Sequence, residues 1–213
     1  MATVPSSAGA GAAEHIEAEV CRLFALVREA LSGATYALLN QDREAAARLV
    51  AGDQAIDDLA SEVAEMVRHL LIQPDLARSQ LPYLVALLQM LPELERSADL
   101  AEHIAQRAGH GLGRDMTPQS RGIVQRMAEV GLEMWALVAE AYVQRSTEAA
   151  EELDEADTEI DVLHNRLTGE VAKGEMPVAV ASEVTLIARF YERLGDHAVN
   201  LGRRIARLAA GQV

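Results

Sequence analysis

The sequence predicts an all-α protein of two tandem three-helix bundles related by internal duplication, and three observations predict it. Helix-forming Ala, Leu and Glu dominate the 213 residues, while the chain holds only two Phe, four Tyr and one Trp. Apolar residues recur at intervals of three and four through the long segments. A short acidic motif occurs twice, each time late in a run of three such segments, as one structural unit used twice would give.

Residues 1–13 are rich in Ala, Gly and Ser. They lack the basic and apolar stretches of a secretory signal and are expected to form a disordered tail. The first helix is expected over 14–40, with Val20, Leu23, Val27 and Leu31 on its apolar stripe. Asp42 is placed to cap the second helix, whose seam reads Leu49, Gly52, Ile56, Leu59, Val63, Met66, Leu70. That helix stops before Gln73-Pro74, because proline disfavours helical geometry in the residue ahead of it. A third helix runs from about 80 to 107 on Leu87, Met90, Leu94, Ser97, Ala101 and Ile104. Together these make a first bundle over 14–108.

Gly109, Gly111, Gly113 and Pro118 mark the clearest break, and 109–117 is read as a linker. Thr117-Pro118 has the form of an N-cap followed by proline at the first helical position. The fourth helix then runs to about 144. The fifth starts near 146 and carries Leu153, Ala156, Ile160, Leu163 and Leu167. The sixth, over 178–210, carries Val184, Ile187, Tyr191, Leu194, Ala198, Leu201 and Ile205. The second bundle therefore spans 118–210. Short connections within each trio favour antiparallel neighbours, with one continuous six-helix bundle as the alternative.

The net charge of −14 argues against nucleic acid, which needs basic clusters to neutralise phosphates, and against free-standing affinity for anionic lipid. No apolar run approaches the roughly 20 residues needed to span a bilayer. Cys21 is the only cysteine, so no intrachain disulfide can form; it is read as a small core residue in a cytoplasmic protein. Trp135 and Tyr142 are expected in packing roles. No Ser-His-Asp constellation and no Gly-rich phosphate loop stands out, so no catalysis is expected.

Most of the 33 acidic residues are expected simply to keep helix surfaces wet. Four pairs stand apart. Asp53 and Asp57 on the second helix recur 104 residues later as Asp157 and Asp161 on the fifth. Glu95 and Asp99 on the third helix recur 97 residues later as Glu192 and Asp196 on the sixth. Each pair is spaced i, i+4 and shares a helix face, where like charges cost roughly 0.2–0.5 kcal/mol on an isolated helix. Two pairs on neighbouring helices gather four carboxylates, unfavourable alone and favourable around a hard divalent cation. All-oxygen ligation points to Mg²⁺, Mn²⁺, Ca²⁺ or iron ahead of a thiolate-rich zinc site. With the helix-six seam taken as a and d, Glu192 falls at b and Asp196 at f. Asp53 and Asp57 fall at e and b of helix two. The carboxylates should therefore line an outer groove, unlike the inward-facing ligands and Glu-x-x-His motifs of di-iron bundles. Arg96 and Arg193 follow the two glutamates and could neutralise them; His103 and His197 are read as neighbours of the sites and not as ligands.

The run Glu192-Arg-Leu-Gly-Asp-His-Ala-Val-Asn-Leu201, with Asp157-x-x-x-Asp161 before it, resembles the repeated helix motif of the PhoU family, regulators of bacterial phosphate uptake. The likeness covers about 14–210. Ala98 stands where the motif has the glycine seen at Gly195, and His103 where it has the asparagine seen at Asn200. These departures point to the second half as the better-formed site. The resemblance implies metal or metal clusters (Mg, Mn, Fe or Zn) held by Asp157, Asp161, Glu192, Asp196, Asp53, Asp57, Glu95 and Asp99. It implies a non-enzymatic, cytoplasmic, dimeric negative regulator of phosphate-starvation signalling. Its expected partners are the phosphate transporter's ATPase subunit and a sensor histidine kinase. A carboxylate-bridged metal-dependent enzyme and a passive helical scaffold are the competing readings.

Overall fold

The computed structural model describes residues 7–212, and among them there are helices and no strands. In chain order they are α1 (Ser7–Asn40), α2 (Arg43–Gly52), α3 (Gln54–Leu71), α4 (Leu81–Gly109), α5 (Leu112–Asp115), α6 (Pro118–Gln144), α7 (Ala149–Ala172) and α8 (Val178–Ala209). A 3₁₀ turn, Arg78–Gln80, leads into α4. The helix α1 begins seven residues ahead of its expected start, across an Ala-rich stretch with high helix propensity. The rest of the expected tail, residues 1–6, lies outside the described residues.

The first trio is α1, α2–α3 and α4; the second is α6, α7 and α8. They meet where α1 lies on α6 and α4 lies on α8, and α3 and α7 pack on the outer flanks. The sequence seams explain this. Every seam residue expected on α4 and α8 is buried, including Ser97, whose hydroxyl donates to the Glu93 carbonyl at 2.6 Å. The apolar side chains of both trios merge into one core. Polar contacts also cross between the trios. Thr35 and Tyr191 share a hydroxyl–hydroxyl bond of 2.5 Å, Tyr83 and Tyr142 one of 2.7 Å, and Arg107 pairs with Glu183 at 2.8 Å. Trp135 and Tyr142 are both buried, and the indole N–H donates to the Leu194 carbonyl at 3.2 Å. Cys21 is half-buried, packed against the edge of this core.

The duplication extends to the backbone. Both α1 and α6 end on a non-glycine residue in the left-handed region, Gln41 and Arg145, which are 104 residues apart. In each the next amide closes back on the helix, Asp42 N–H to Ala37 O and Ser146 N–H to Ala141 O, the six-to-one bond of a Schellman ending. The same two residues then cap the next segment. Asp42 accepts from Ala45 N–H at 2.9 Å, and Ser146 accepts from Ala149 N–H at 3.4 Å.

The 109–117 stretch, expected as a linker, contains α5, and Leu112 and Met116 are buried. It presses on the end of α1 so closely that a Cβ at Gly113 would stand 1.9 Å from the Leu38 carbonyl oxygen. Arg121 on α6 donates to the Gly113 and Leu39 carbonyls and satisfies groups that the end of α1 leaves open. The second expected helix is in fact two, α2 and α3, jointed at Asp53. Gly52 weakens the helix there, at a position its repeat fills with Ala156 inside the unbroken α7. Beyond the joint the stripe rotates, so Val67 is buried while Met66 and Leu70 are only half-buried.

Candidate metal centre

The joint between α2 and α3 positions the first acidic site. Asp53 sits in the joint itself, one turn before Asp57 on α3, and both face α4. Asp53, Asp57 and Asp99 each offer a carboxylate oxygen within 4.8 Å of the others. All three are half-buried in an outer groove, as the helical register requires. Glu95, one turn before Asp99, is exposed and stands outside this group.

Burial and neighbouring negative charge act together on Asp53 and Asp57. Burial, then the charges of Glu102, Asp57 and Asp99, push the Asp53 carboxyl up to about 6. Burial, then Asp99, Asp58 and Glu102, raise that of Asp57. Asp57 Oδ1 is shut off from solvent and has no hydrogen-bond partner. A buried carboxylate oxygen without a donor carries an unmet desolvation cost. A cation in the groove would meet that cost, so these residues fit an oxygen-ligated divalent metal.

The second site is built on α7 and α8. Burial, then Asp196, Asp161, Asp154 and Glu192, push the Asp157 carboxyl up to about 6. The four predicted residues thus share one field, yet no three of their oxygens converge as the first-half ones do. Asp157 leans against the backbone of α8, in the space that Gly195 leaves open: a Cβ there would lie 2.7 Å from Asp157 Oδ1. The first half fills that space with the buried Ala98 methyl. Glu192 is held by Arg189 one turn back, while its Oε2 is buried and unpartnered. Asp161 and Asp196 are exposed. Tighter convergence therefore occurs in the half whose motif departs from the pattern.

Three groups at or beside these sites were not singled out from sequence. Glu102 lies one turn beyond Asp99 on the same face of α4 and accepts from Gln106 at 2.9 Å. Arg189 lies one turn before Glu192, and Arg203 pairs with Asp154 at 2.9 Å. Their i, i+3 or cross-helix spacing was the available signal. Arg96 and Arg193, which sequence put next to the glutamates, are exposed and form no ion pair among the described residues. His197 is buried and bonded to Glu93 across the two trios; the His103 ring lies 5.5 Å from that of Phe190.

With this geometry in view, relatives are informative. The family model of the PhoU domain matches twice, over residues 20–108 and 124–205. The chain belongs to the PhoU family. The phosphate-specific transport system accessory protein PhoU homolog 2 of Mycobacterium bovis is 31% identical over 196 residues, spanning 91% of each chain. A PhoU homolog from Rhizobium meliloti is 26% identical, covering 93% of this chain and 85% of its own. The crystal structure of PhoU from Pseudomonas aeruginosa superposes with a TM-score of 0.88 at 20% identity, over 94% of this chain and 98% of that one. The phosphate transport system regulatory protein PhoU of Streptococcus pneumoniae gives 0.84 at 23%, over 93% and 95%. The two PhoU domain matches coincide with the two trios, so the doubled acidic motif is the sequence trace of a doubled fold.

Proposed function

We propose that this protein is a metal-binding regulatory accessory protein of phosphate uptake. In this reading it holds divalent cations in the two acidic grooves and works as a cytoplasmic dimer. It restrains the phosphate-starvation response by linking the ATPase subunit of a phosphate transporter to a sensor histidine kinase. The observation that carries it is the convergence of Asp53, Asp57 and Asp99, with an unpartnered Asp57 oxygen, on a PhoU fold. The names of its relatives as phosphate-specific transport system accessory proteins support the role in phosphate uptake. No helix among the described residues is long and apolar enough to cross a membrane, which fits a protein that meets the transporter at its ATPase subunit.

A metal in either groove would supply charge neutralisation and cross-link an outer helix to α4 or α8. The residues themselves set where that happens: Asp53 and Asp57 with Asp99 in one groove, Asp157 and Asp161 with Glu192 and Asp196 in the other. The carboxylates sit on outer faces, so occupancy alters the charge a partner protein meets.

Affinity capture of the transporter ATPase and of the kinase's cytosolic region, with Mn²⁺ and with chelator, tests the reading. Metal-dependent capture of either partner supports it. Capture of neither, together with turnover of a phosphoester, replaces it with the enzyme reading.

A further inference from the structure

The two acidic grooves differ in a way the repeat does not require. Adding the repeat offsets shows which residues were exchanged. Arg189, which holds Glu192 in the second half, has Pro92 as its counterpart. Arg203, which pairs with Asp154, has Gln106, and Asp154 has Val50. The second groove therefore brings its own cations. In the first, Asp53, Asp57 and Asp99 have no ion-pair partner among the described residues. An additional carboxylate, Glu102, stands where the second half has the buried Val199. Glu102 is half-buried, lines the same cleft as Asp53 between α1, the α2–α3 joint and α4, and accepts from the Gln106 amide; Arg22 and Arg48 also line that cleft, but Arg22 pairs with Glu19 and neither is ion-paired to Asp53 or Glu102.

We infer that the first-half groove is the primary divalent-cation site of this protein and that Glu102, outside the repeated motif, completes it, while Arg189 weakens the second-half site by holding Glu192. The inference rests on the metal reading above and ranks the two grooves within it. Four carboxylates, none of them ion-paired, make a more demanding and more rewarding environment for a hard cation than four of which one is already held by an arginine, because affinity at oxygen-ligated sites rises with the count of uncompensated ligand charges. The Gly195 and Ala98 exchange acts in the same direction. Asp157 is drawn back onto α8, whereas the Ala98 methyl keeps the corresponding space closed to Asp53.

The test is Mn²⁺ binding to the metal-free full-length chain, read by electron paramagnetic resonance of the free ion and by calorimetry. We expect one tighter and one weaker class of site. Asp53→Asn with Asp99→Asn removes the tighter class, and Asp157→Asn with Asp196→Asn leaves it in place. Glu102→Gln weakens the tighter class by about 10-fold to 100-fold, and Arg189→Gln tightens the weaker class. Circular dichroism of each metal-free variant confirms the helical fold, and carboxylate-to-amide changes keep side-chain volume. Loss of the tighter class through the second-half pair, or an unchanged tighter class in Glu102→Gln, overturns the ranking and leaves the metal reading standing. Absence of any Mn²⁺ binding by the unsubstituted chain overturns both.

Discussion

The two halves share one fold and one ancestor of their acidic motif, and they have solved the same electrostatic problem differently. In the second half, α7 runs unbroken past Asp157, Gly195 lets that carboxylate retreat onto α8, and Arg189 and Arg203 sit among the acids. In the first, Gly52 breaks the helix at Asp53, Ala98 closes the retreat, and no arginine answers Asp53, Asp57 or Asp99. The lesson is that a motif's resemblance to its pattern and its readiness for a ligand are separate properties. Gly195 preserves the family letter and disperses the carboxylates; Ala98 loses the letter and keeps them together.

The largest effects should come from the shared core, where the halves cannot be told apart. Tyr191→Ala empties a fully buried position and removes the hydroxyl bond to Thr35, which keeps only its bond to the Leu31 carbonyl, and its counterpart Leu94→Ala opens a similar void. Each is expected to cost about 3–5 kcal/mol. Because one core joins both trios, calorimetry of either variant should show a single transition at a lower temperature. Two separated transitions would mean that the halves fold independently.

Next in size are exchanges of the residues that distinguish the grooves. Gly52→Ala mends the joint between α2 and α3. Its Cβ meets no atom within 4 Å, so the metal-free protein should gain up to about 1 kcal/mol. Its Mn²⁺ affinity should fall as Asp53 is drawn into helical register. A Gly52→Ala variant with unchanged affinity would show that the joint does not shape the site. Gly195→Ala is the converse exchange: it must push Asp157 away from α8, and it should strengthen second-half binding with little change in melting temperature.

The pH dependence follows from the same aspartates. Asp53 and Asp157 titrate near 6 in the folded chain and near 4 when unfolded, so the native state holds more protons between those values. Stability from these groups is therefore full below about pH 4 and is lost as the pH rises through about 6. Metal-free protein should melt at a falling temperature over that window, and Mn²⁺ should reverse the fall at pH 7. The double variant Asp53→Asn with Asp157→Asn should flatten the profile; an undiminished fall would assign it to other groups. The smallest effect is expected at Arg193→Ala, which removes an exposed side chain without a partner and should stay within about 0.5 kcal/mol with unchanged metal binding.

Much of the fold was legible because long helices carry a redundant signal. Val184, Ile187, Tyr191, Leu194, Ala198, Leu201 and Ile205 alternate intervals of three and four throughout, and all are buried. The outer-groove placement of the acidic pairs followed from that register alone. Less legible were features set by one residue or by contacts distant in sequence. The break at Asp53 depends on Gly52 against Ala156, a difference that periodicity averages away. The burial of α5 depends on Gly113 reaching the Leu38 carbonyl, 75 residues earlier. Glu102 has Val199 and no acid as its counterpart in the second half, and comparison of repeats reveals only what both copies keep. Arg189, the i, i+3 neighbour that holds Glu192, has Pro92 as its counterpart, so comparison of the repeats gives no sign of it.

The central claim is that the groove between the α2–α3 joint and α4 takes the first metal ion. Anomalous diffraction at the manganese edge, from crystals of the full chain grown with less than one Mn²⁺ per protein, addresses it directly. The account predicts the strongest peak among Asp53, Asp57 and Asp99, with Glu102 turned towards it. A strongest peak among Asp157, Asp161, Glu192 and Asp196 would contradict it.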